Sequence, residues 1–149
     1  MKEIERKFLI KDLGEILPLL SDGTPIFQGY LFSKKNRSCR VRIKGSKGYI
    51  TIKFGENALA RDEFEYEIPI VDAQGLLSEC NAVLEKTRYI VLYEGLNWEI
   101  DVFHGHLEGL VVAELELSHE NQTYSIPAWI GEEVTHDPNY LNINLIKKL

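Results

Sequence analysis

The chain has 149 residues, of which 44% are hydrophobic and 27% are charged, and its formal net charge is -6. A chain of this length can bury a substantial core, so we predict one domain over residues 1–149. The acidic balance argues against a general affinity for nucleic acid or for an anionic membrane. The apolar runs are short, and the N-terminus lacks the charged-then-apolar pattern of a signal peptide, which predicts a cytoplasmic protein.

The chain opens with a predicted strand over residues 1–10. Its period of two residues places Glu3, Glu5 and Lys7 on one face. The two carboxylates repel each other, so this face favours a partner, either a divalent cation or another charged strand. A strand face in contact with solvent explains the same pattern, and the opening residues alone leave both interpretations open.

The remaining predicted elements are strands with a few helices between them. The clearest pair is a hairpin of residues 38–44 and 48–54, joined through the turn that begins at Gly45. A short helix over 11–20 is capped by Asp12, and Gly29 indicates a bulge or a close approach in its strand. The other predicted strands span 26–33, 61–70, 85–93, 98–103 and 110–117. Three more helices are predicted. One spans 72–84, with Asp72 as cap, one begins at Ser125, and the last spans 139–149.

The charges on these strands are segregated by sign. Basic and acidic pairs occupy different strands, whereas a solvated surface more often mixes the two signs. The strands could form a one-sided sheet, or they could close into a barrel with the charged faces inward and helices over the apolar exterior. A lumen with acidic and basic walls suits a polyanion bound with a divalent metal. The pairs are Arg40/Arg42 and Lys86/Arg88 on the basic side, and Glu3/Glu5, Glu99/Asp101 and Glu114/Glu116 on the acidic side.

An ordered series of short motifs runs through essentially the whole chain. It begins with E-I-E-R-K at Glu3, which has the pattern E-x-E-x-K, and continues with Q-G-Y-L, R-V-R, T-I-K, R-D-E-F-E-Y-E-I-P, K-T-R-Y, W-E-I-D-V-F, G-L-V-V-A-E-L-E-L and W-I-G-E-E-V-T. Each motif is weak alone, but their order is specific. The series resembles that of the CYTH family, the triphosphate tunnel metalloenzymes.

This resemblance implies a mainly β, α+β fold. The expected architecture is an eight-stranded antiparallel closed β-tunnel with helices packed outside and a C-terminal helix that can close one end, usually in a homodimer. The expected ligand is a triphosphate-containing small molecule with Mg²⁺ or Mn²⁺. Trp98 and Trp129 are then predicted to pack on the tunnel exterior, while Tyr30 and Tyr140 contribute to the plug.

The resemblance also implies roles for individual residues. The expected metal-binding carboxylates are Glu3, Glu5, Glu114 and Glu116. The expected triphosphate-binding residues are Lys7, Arg40, Arg42, Lys53, Lys86 and Arg88. The expected catalytic residues are Glu5, Lys7, Glu116 and Lys86. Further tunnel-lining residues are Glu63, Asp101 and Tyr30, with Glu65, Glu67 and Glu99 near the tunnel mouths.

The implied activity is metal-dependent hydrolysis of inorganic triphosphate to pyrophosphate and phosphate. A class IV-type adenylyl cyclase or a thiamine triphosphatase would use the same metal and phosphate sites. A non-catalytic binder of polyphosphate or nucleotide is the alternative from another class, but it gains nothing from carboxylates beside its ligand. The chain departs from the family's pattern at Phe54, where many members have glycine, and at Asn139, where many have a basic residue.

Other metal-binding residue types are scattered. Cys39 and Cys80 lack the spacing of a metal site and are predicted to be reduced, inert thiols. His104 and His106 fall in a predicted polar loop, and the other two histidines are isolated. We therefore predict exposed loop positions for the histidines and no role as ligands.

Overall fold

In the described part of the chain, runs that alternate polar with apolar residues form nine strands, and each of these strands is antiparallel to its neighbours. The computed structural model describes residues 2–57 and 59–147. The strands are β1 (Lys2–Ile10), β2 (Thr24–Lys34), β3 (Arg37–Lys44), β4 (Lys47–Phe54), β5 (Ala60–Ile68), β6 (Leu84–Tyr93), β7 (Leu96–Phe103), β8 (Val111–Glu116) and β9 (Ile130–Glu133). The α-helices are α1 (Leu13–Ile16), α2 (Ile70–Ser78) and α3 (Asn142–Ile146), and short 3-10 helices span Leu17–Leu19, Gly105–Leu107 and Pro138–Tyr140.

Eight of these strands close into a ring, in the order β1-β5-β4-β3-β2-β6-β7-β8 and back to β1. The seam is formed by β1 and β5, with Glu3 opposite Arg61. On its other edge β1 pairs with β8, and its second half also pairs with the short strand β9. The predicted eight-stranded antiparallel ring is therefore confirmed, with β9 added outside the ring.

The apolar side chains cover the outside of the ring. Trp98 is fully buried on this exterior and packs against Phe8 and Trp129, with ring centroids 5.5 and 5.8 Å away. On another part of the exterior, α2 packs Ala73 and Leu77 against Val41 of β3. The burial of these side chains leaves the opposite strand faces, which carry the charges, to line the lumen.

One end of the lumen is filled by an apolar cluster. Leu84, Phe103 and Val112 lie on the lumen face of their strands, each two residues from a charged lumen position, and they pack with Leu145 and Ile146 of the C-terminal segment. Tyr30 packs against the same cluster. The C-terminal helix thus closes one end of the ring by ordinary hydrophobic burial.

The prediction of a helix that begins at Ser125 is wrong. Residues 122–127 have no regular secondary structure, and a turn leads directly into β9. Pro127 disfavours a helical conformation at Ile126 before it. The backbone of Trp129 instead accepts a hydrogen bond from the Lys11 N–H at 2.8 Å, which draws this segment alongside the end of β1.

The helix predicted over 72–84 is present as α2, but the observed helix begins and ends earlier than predicted. α2 starts at Ile70 with Pro69 as its N-cap, so Asp72 lies in the first turn and is not the cap. Its helical residues end at Ser78, because Leu84 must be extended to start β6 and to enter the apolar end of the lumen. The predicted strand over 61–70 correspondingly stops at Ile68.

The last predicted helix, over 139–149, is interrupted. Asp137 caps the 3-10 turn by accepting a hydrogen bond from the Asn139 N–H, and an extended Leu141 then separates this turn from α3. The Lys7 ammonium donates to the Tyr140 carbonyl at 3.1 Å and so occupies a backbone acceptor that a continuous helix would use. Residues 148–149 lie outside the described residues.

Other local predictions are confirmed. Asp12 caps α1 by accepting from the Glu15 N–H. Cys39 and Cys80 are free, and burial raises the pKa of both thiols, which favours the protonated form. That both thiols are inert stays a prediction. No helix within residues 2–57 and 59–147 has both the length and the apolar character needed to span a membrane.

Gly29 provides a test of the packing between β2 and the chain that follows α2. A Cβ atom at Gly29 would lie 2.8 Å from Cys80 Sγ and 3.1 Å from the Ala82 carbonyl oxygen. We expect Gly29→Ala to lower the free energy of unfolding by about 1–3 kcal/mol because the added methyl group overpacks this contact. Denaturant-induced unfolding measures the change.

Gly75→Ala is the matched control, since a Cβ atom at this position in α2 meets nothing within 4 Å. It should raise the free energy of unfolding by about 0.5–1 kcal/mol through helix propensity. Equal effects of the two substitutions would show that the contact at Gly29 is not tight.

Candidate active site

The lumen contains a central cavity of about 170 Å³ with a charged lining. Strand alternation explains this lining, because residues two apart on each strand point to the same side of the ring. Every lining residue except Asn142 carries an ionisable side chain. The lining consists of Glu3, Glu5, Arg40, Arg42, Lys44, Lys53, Glu63, Glu65, Arg88, Glu99, Glu114, Glu116 and Asn142.

Two buried arginines of β3 form the basic wall. Arg42 Nε donates to Gln28 Oε1 at 2.9 Å, and Arg40 Nη2 donates to Thr51 Oγ1 at 3.3 Å. Arg42 forms no salt bridge with any described residue. Burial, followed by the charges of Arg40 and Arg88, lowers the pKa of Arg42 to about 9. This wall therefore favours an anion in the cavity, because an anion would restore the stability of the charged guanidinium.

A network centred on Asp101 supports the basic wall. Asp101 Oδ2 accepts from Lys86 Nζ at 2.6 Å, and the Arg88 guanidinium binds both carboxylate oxygens at 2.7 and 2.8 Å. Lys86 and Asp101 are fully buried. Burial alone would raise the pKa of Asp101, but Lys86 and Arg88 outweigh it and lower that pKa. Burial lowers the pKa of Lys86 to about 7 against the opposing charge of Asp101.

The acidic wall places carboxylates directly opposite one another. Glu5 of β1 lies opposite Glu116 of β8, and Glu114 lies opposite Glu99 of β7. Like charges in such cross-strand pairs are destabilising. Within the described residues Glu5 has no salt-bridge partner, and burial, followed by the charge of Glu114, raises its pKa. Burial, followed by the charges of Glu3 and Glu5, also raises the pKa of Glu116.

The other two carboxylates of the predicted metal set are held by lysines. Glu3 accepts a hydrogen bond from Lys53 Nζ at 2.7 Å, and Glu114 lies 3.6 Å from Lys7 Nζ. Burial raises the pKa of Glu3, with the hydrogen bond to Glu63 as the next cause. For Glu114, the charges of Lys7 and Arg88 outweigh burial and hold the pKa well below its usual range.

These carboxylates fit a hard divalent cation by chemistry and by strand register. Carboxylate oxygens are the ligands that Mg²⁺ and Mn²⁺ prefer, and a cation between Glu5 and Glu116 would relieve their repulsion. The side chains do not converge in the described part of the chain, where no group of three or more His, Cys, Asp or Glu residues is arranged to hold a metal. Glu3 and Glu114 would have to leave their lysine partners to join such a site.

The ring brings most of the predicted site residues together. Four of them lie outside the lining of the central cavity: Lys7, Tyr30, Lys86 and Asp101. Asp101 binds both Lys86 and Arg88 and so connects Lys86 to the basic wall. Tyr30 lines a smaller cavity beside the C-terminal segment with Lys7. Glu67 is exposed and lies 3.8 Å from Lys47. Phe54 contacts Phe64 edge-on and Asn139 is exposed, and neither of these departures from the family pattern lines the central cavity.

Four polar residues in or near the cavity were not predicted as site residues: Gln28, Lys44, Thr51 and Asn142. Lys44 lies two residues after Arg42 on β3, so strand alternation could have identified it. Gln28 and Thr51 lie opposite Arg42 and Arg40 in strand register, so strand alternation could have identified both. The Nε2 atom of Gln28 is buried and has no hydrogen-bond partner among the described residues, and Gln28 itself lies outside the cavity lining. Asn142 reaches the cavity from the C-terminal segment, and no local pattern indicates this.

The histidines lie outside the lining of the central cavity. His104 Nε2 forms a hydrogen bond with Thr87 Oγ1 at 2.7 Å, and His106 is exposed. The other two, His119 and His136, are also exposed. The prediction that they occupy exposed loop positions holds for these three residues, while His104 is partly buried.

Comparison with known proteins gives a consistent result. An inorganic triphosphatase of Acetivibrio thermocellus is 47% identical over 148 residues, covering 98% of this chain and 94% of that protein. An inorganic triphosphatase of Nitrosomonas europaea is 38% identical over 149 residues, with 95% of each protein covered. The crystal structure of the inorganic triphosphatase NE1496 aligns with a TM-score of 0.67 at 34% identity, covering 97% of this chain and 93% of that one.

A more distant structure, a Hippeastrum protein at 15% identity, aligns with a TM-score of 0.60 over 78% of this chain and 80% of its own, and shares the fold alone. The CYTH domain family matches residues 1–149. A closed ring of eight antiparallel strands with a charged lumen, the family match along the whole chain and these relatives agree: the chain belongs to the CYTH domain family.

Proposed function

We propose that this chain is a metal-dependent inorganic triphosphatase that hydrolyses tripolyphosphate to pyrophosphate and phosphate. The observation that carries this proposal is a closed lumen with a basic wall facing an acidic wall. Its central cavity has no aromatic or aliphatic side chain in its described lining, so it offers no surface for a nucleobase or a thiazole ring. The names of the two close relatives support the same substrate.

The basic wall would hold the triphosphate. Phosphoryl transfer is catalysed mainly by positioning the phosphates and neutralising their charge. Arg40 and Arg42 would donate to phosphate oxygens, and Gln28, which accepts from Arg42 Nε at 2.9 Å, would keep the Arg42 guanidinium in position. Arg88 would present its guanidinium to the cavity while Asp101 keeps it oriented, and Lys86 would act through Asp101 as a positioning residue.

The acidic wall would supply the cation site and a proton acceptor. Glu3, Glu5, Glu114 and Glu116 would hold Mg²⁺ or Mn²⁺, which when bound supplies positive charge to the phosphate oxygens and to the attacking water. Glu5 or Glu116 would accept the proton of that water, since a raised pKa makes a carboxylate a better base near neutral pH. Lys7 lies outside the central cavity and would act through Glu114, whose carboxylate is 3.6 Å from its Nζ atom.

Two further expectations stay predictions. Assembly into a homodimer can be measured by analytical ultracentrifugation, and a cytoplasmic location by fractionation of the source cells. Neither affects the chemistry proposed for the lumen, because every residue assigned to it comes from one chain.

Substrate comparison tests the proposal. We expect phosphate release from tripolyphosphate to exceed release from ATP and from thiamine triphosphate, and to disappear with a metal chelator. Formation of cyclic AMP and pyrophosphate from ATP would favour the cyclase instead. Tight binding of tripolyphosphate without turnover, at any concentration of Mg²⁺ or Mn²⁺, would favour the non-catalytic binder.

Glu5→Gln removes the carboxylate that has no cationic partner while keeping its size. We expect turnover of tripolyphosphate to fall by at least about 100-fold, as for loss of a general base or a metal ligand. Phosphate release and far-UV circular dichroism measure activity and fold together. Glu67→Gln, at an exposed carboxylate, is the control and should keep its activity. Retained activity and metal dependence in Glu5→Gln would refute the assigned role.

We also expect the effect of Glu5→Gln on the free energy of unfolding to depend on pH. The pKa of Glu5 is raised in the folded chain, so the contribution of this carboxyl group to stability is present below its unfolded pKa and is lost as the pH rises through its folded pKa. Glu5→Gln in chelator should therefore raise the free energy of unfolding at pH 7, and this gain should shrink towards pH 4. Urea unfolding at the two pH values measures it. A gain of equal size at both would contradict the burial of an unpaired carboxylate.

A further inference from the structure

A second cavity, of about 220 Å³, lies beside the C-terminal segment and outside the central cavity. We call it the vestibule, and its principal lining residues are Lys34, Arg37, Lys53, Arg61, Leu141 and Ile143. Residues 141–143 separate the two spaces, since Asn142 lines the central cavity while its two neighbours line the vestibule.

The vestibule is rich in positive charge. In the part of the chain that the structure describes, its lining carries two lysines and two arginines but one carboxylate, that of Glu56, which accepts a hydrogen bond from Asn36 at 3.2 Å. Among the described residues, Lys34, Arg37 and Arg61 have no salt-bridge partner. Such a concentration of unpaired positive charge on a chain of net charge -6 favours an anion. Guanidinium groups in particular suit phosphate.

A narrow third cavity has lining residues in common with both the vestibule and the central cavity. It has a volume of about 30 Å³ and shares Lys53 and Arg61 with the vestibule, and Glu5, Arg40 and Lys53 with the central cavity. This space can hold about one or two water molecules but not a phosphate group. The vestibule is therefore a separate binding space and not an extension of the triphosphate site.

Lys53 is the physical link between the two spaces. It lines all three cavities, and its ammonium lies 2.7 Å from Glu3 and 3.4 Å from Glu63 on the acidic wall. An anion in the vestibule would attract this ammonium and weaken its neutralisation of Glu3. Occupation of the vestibule would thus change the acidic wall without displacing a ligand from the basic wall.

We propose that the vestibule binds a small inorganic phosphate anion, and that pyrophosphate bound there slows turnover in the lumen. The anion site stands on the vestibule's own charges, and its effect on turnover rests on the proposed triphosphatase function. Pyrophosphate in the lumen would compete with tripolyphosphate, whereas pyrophosphate in the vestibule would lower kcat.

Product inhibition tests this proposal. At fixed free Mg²⁺, we expect pyrophosphate to inhibit tripolyphosphate hydrolysis with both a competitive and a non-competitive component. Arg37→Glu should weaken the non-competitive component about tenfold, as expected for loss of one charge-assisted contact, and should leave the competitive component unchanged. Lys35→Glu makes a similar charge reversal in the same turn at a residue outside the lining, and it should behave as wild type. Purely competitive inhibition of the wild type, or equal effects of both substitutions, would overturn the proposal.

Calorimetry separates this proposal from the proposed function. With a chelator present, pyrophosphate titrated into the Glu5→Gln chain should occupy two sites, and addition of Arg37→Glu should leave one. If Arg37→Glu reduces the number of pyrophosphate sites from two to one but the wild-type chain does not hydrolyse tripolyphosphate, the vestibule is supported and only the triphosphatase function is refuted. An unchanged number of sites after Arg37→Glu, in a chain that does hydrolyse it, would refute the vestibule alone.

Discussion

Pairing of the first strand with the fifth closes the sheet, and the rest of the structure depends on this closure. Glu3 lies opposite Arg61 across the seam, while the other edge of β1 pairs with β8. In an open sheet the charged face would lie in water, where repulsion between like charges is weak. In the closed ring that face lines a narrow lumen, where burial strengthens the interaction of each charge with its neighbours. Closure thus converts a surface pattern into the lining of an enclosed, charged cavity.

The lumen stabilises its charges in two ways. Asp101 accepts hydrogen bonds of 2.6 to 2.8 Å from Lys86 and Arg88, and the Arg88 guanidinium also lies 3.1 Å from Glu99, so this part of the basic wall is held in place without a ligand. Arg42 and Glu5 form no salt bridge with any described residue. Burial lowers the pKa of Arg42 and raises the pKa of Glu5, and both shifts favour the neutral form of the side chain. A polyanion would stabilise the charged form of Arg42, and a cation would stabilise the charged form of Glu5. The fixed network positions the site, and the unpaired groups determine which ligands it favours.

The sequence predicts the faces of the strands better than the ends of the helices. Side-chain direction in a strand is local, so a period of two residues places Arg40 and Glu114 correctly on the lumen face. Ring closure is not local, and charge spacing alone also allowed an open sheet; the ordered motifs were needed to indicate it. No helix begins at Ser125 because the chain there is drawn into strand pairing, and α2 ends early because Leu84 belongs to a strand. Asn142 was missed because its position depends on contacts between the two ends of the chain.

Under the proposed function, the basic wall and the acidic wall bind their ligands together. Calorimetric titration of Mg²⁺, with and without a non-hydrolysable imido analogue of tripolyphosphate, tests this directly. We expect the analogue to strengthen the binding of Mg²⁺ by the chain. Mg²⁺ should strengthen the binding of the analogue by the same factor, since such linkage is reciprocal. Mg²⁺ affinity that is unchanged or weakened by the analogue, after correction for Mg²⁺ bound by the free analogue, would contradict the account.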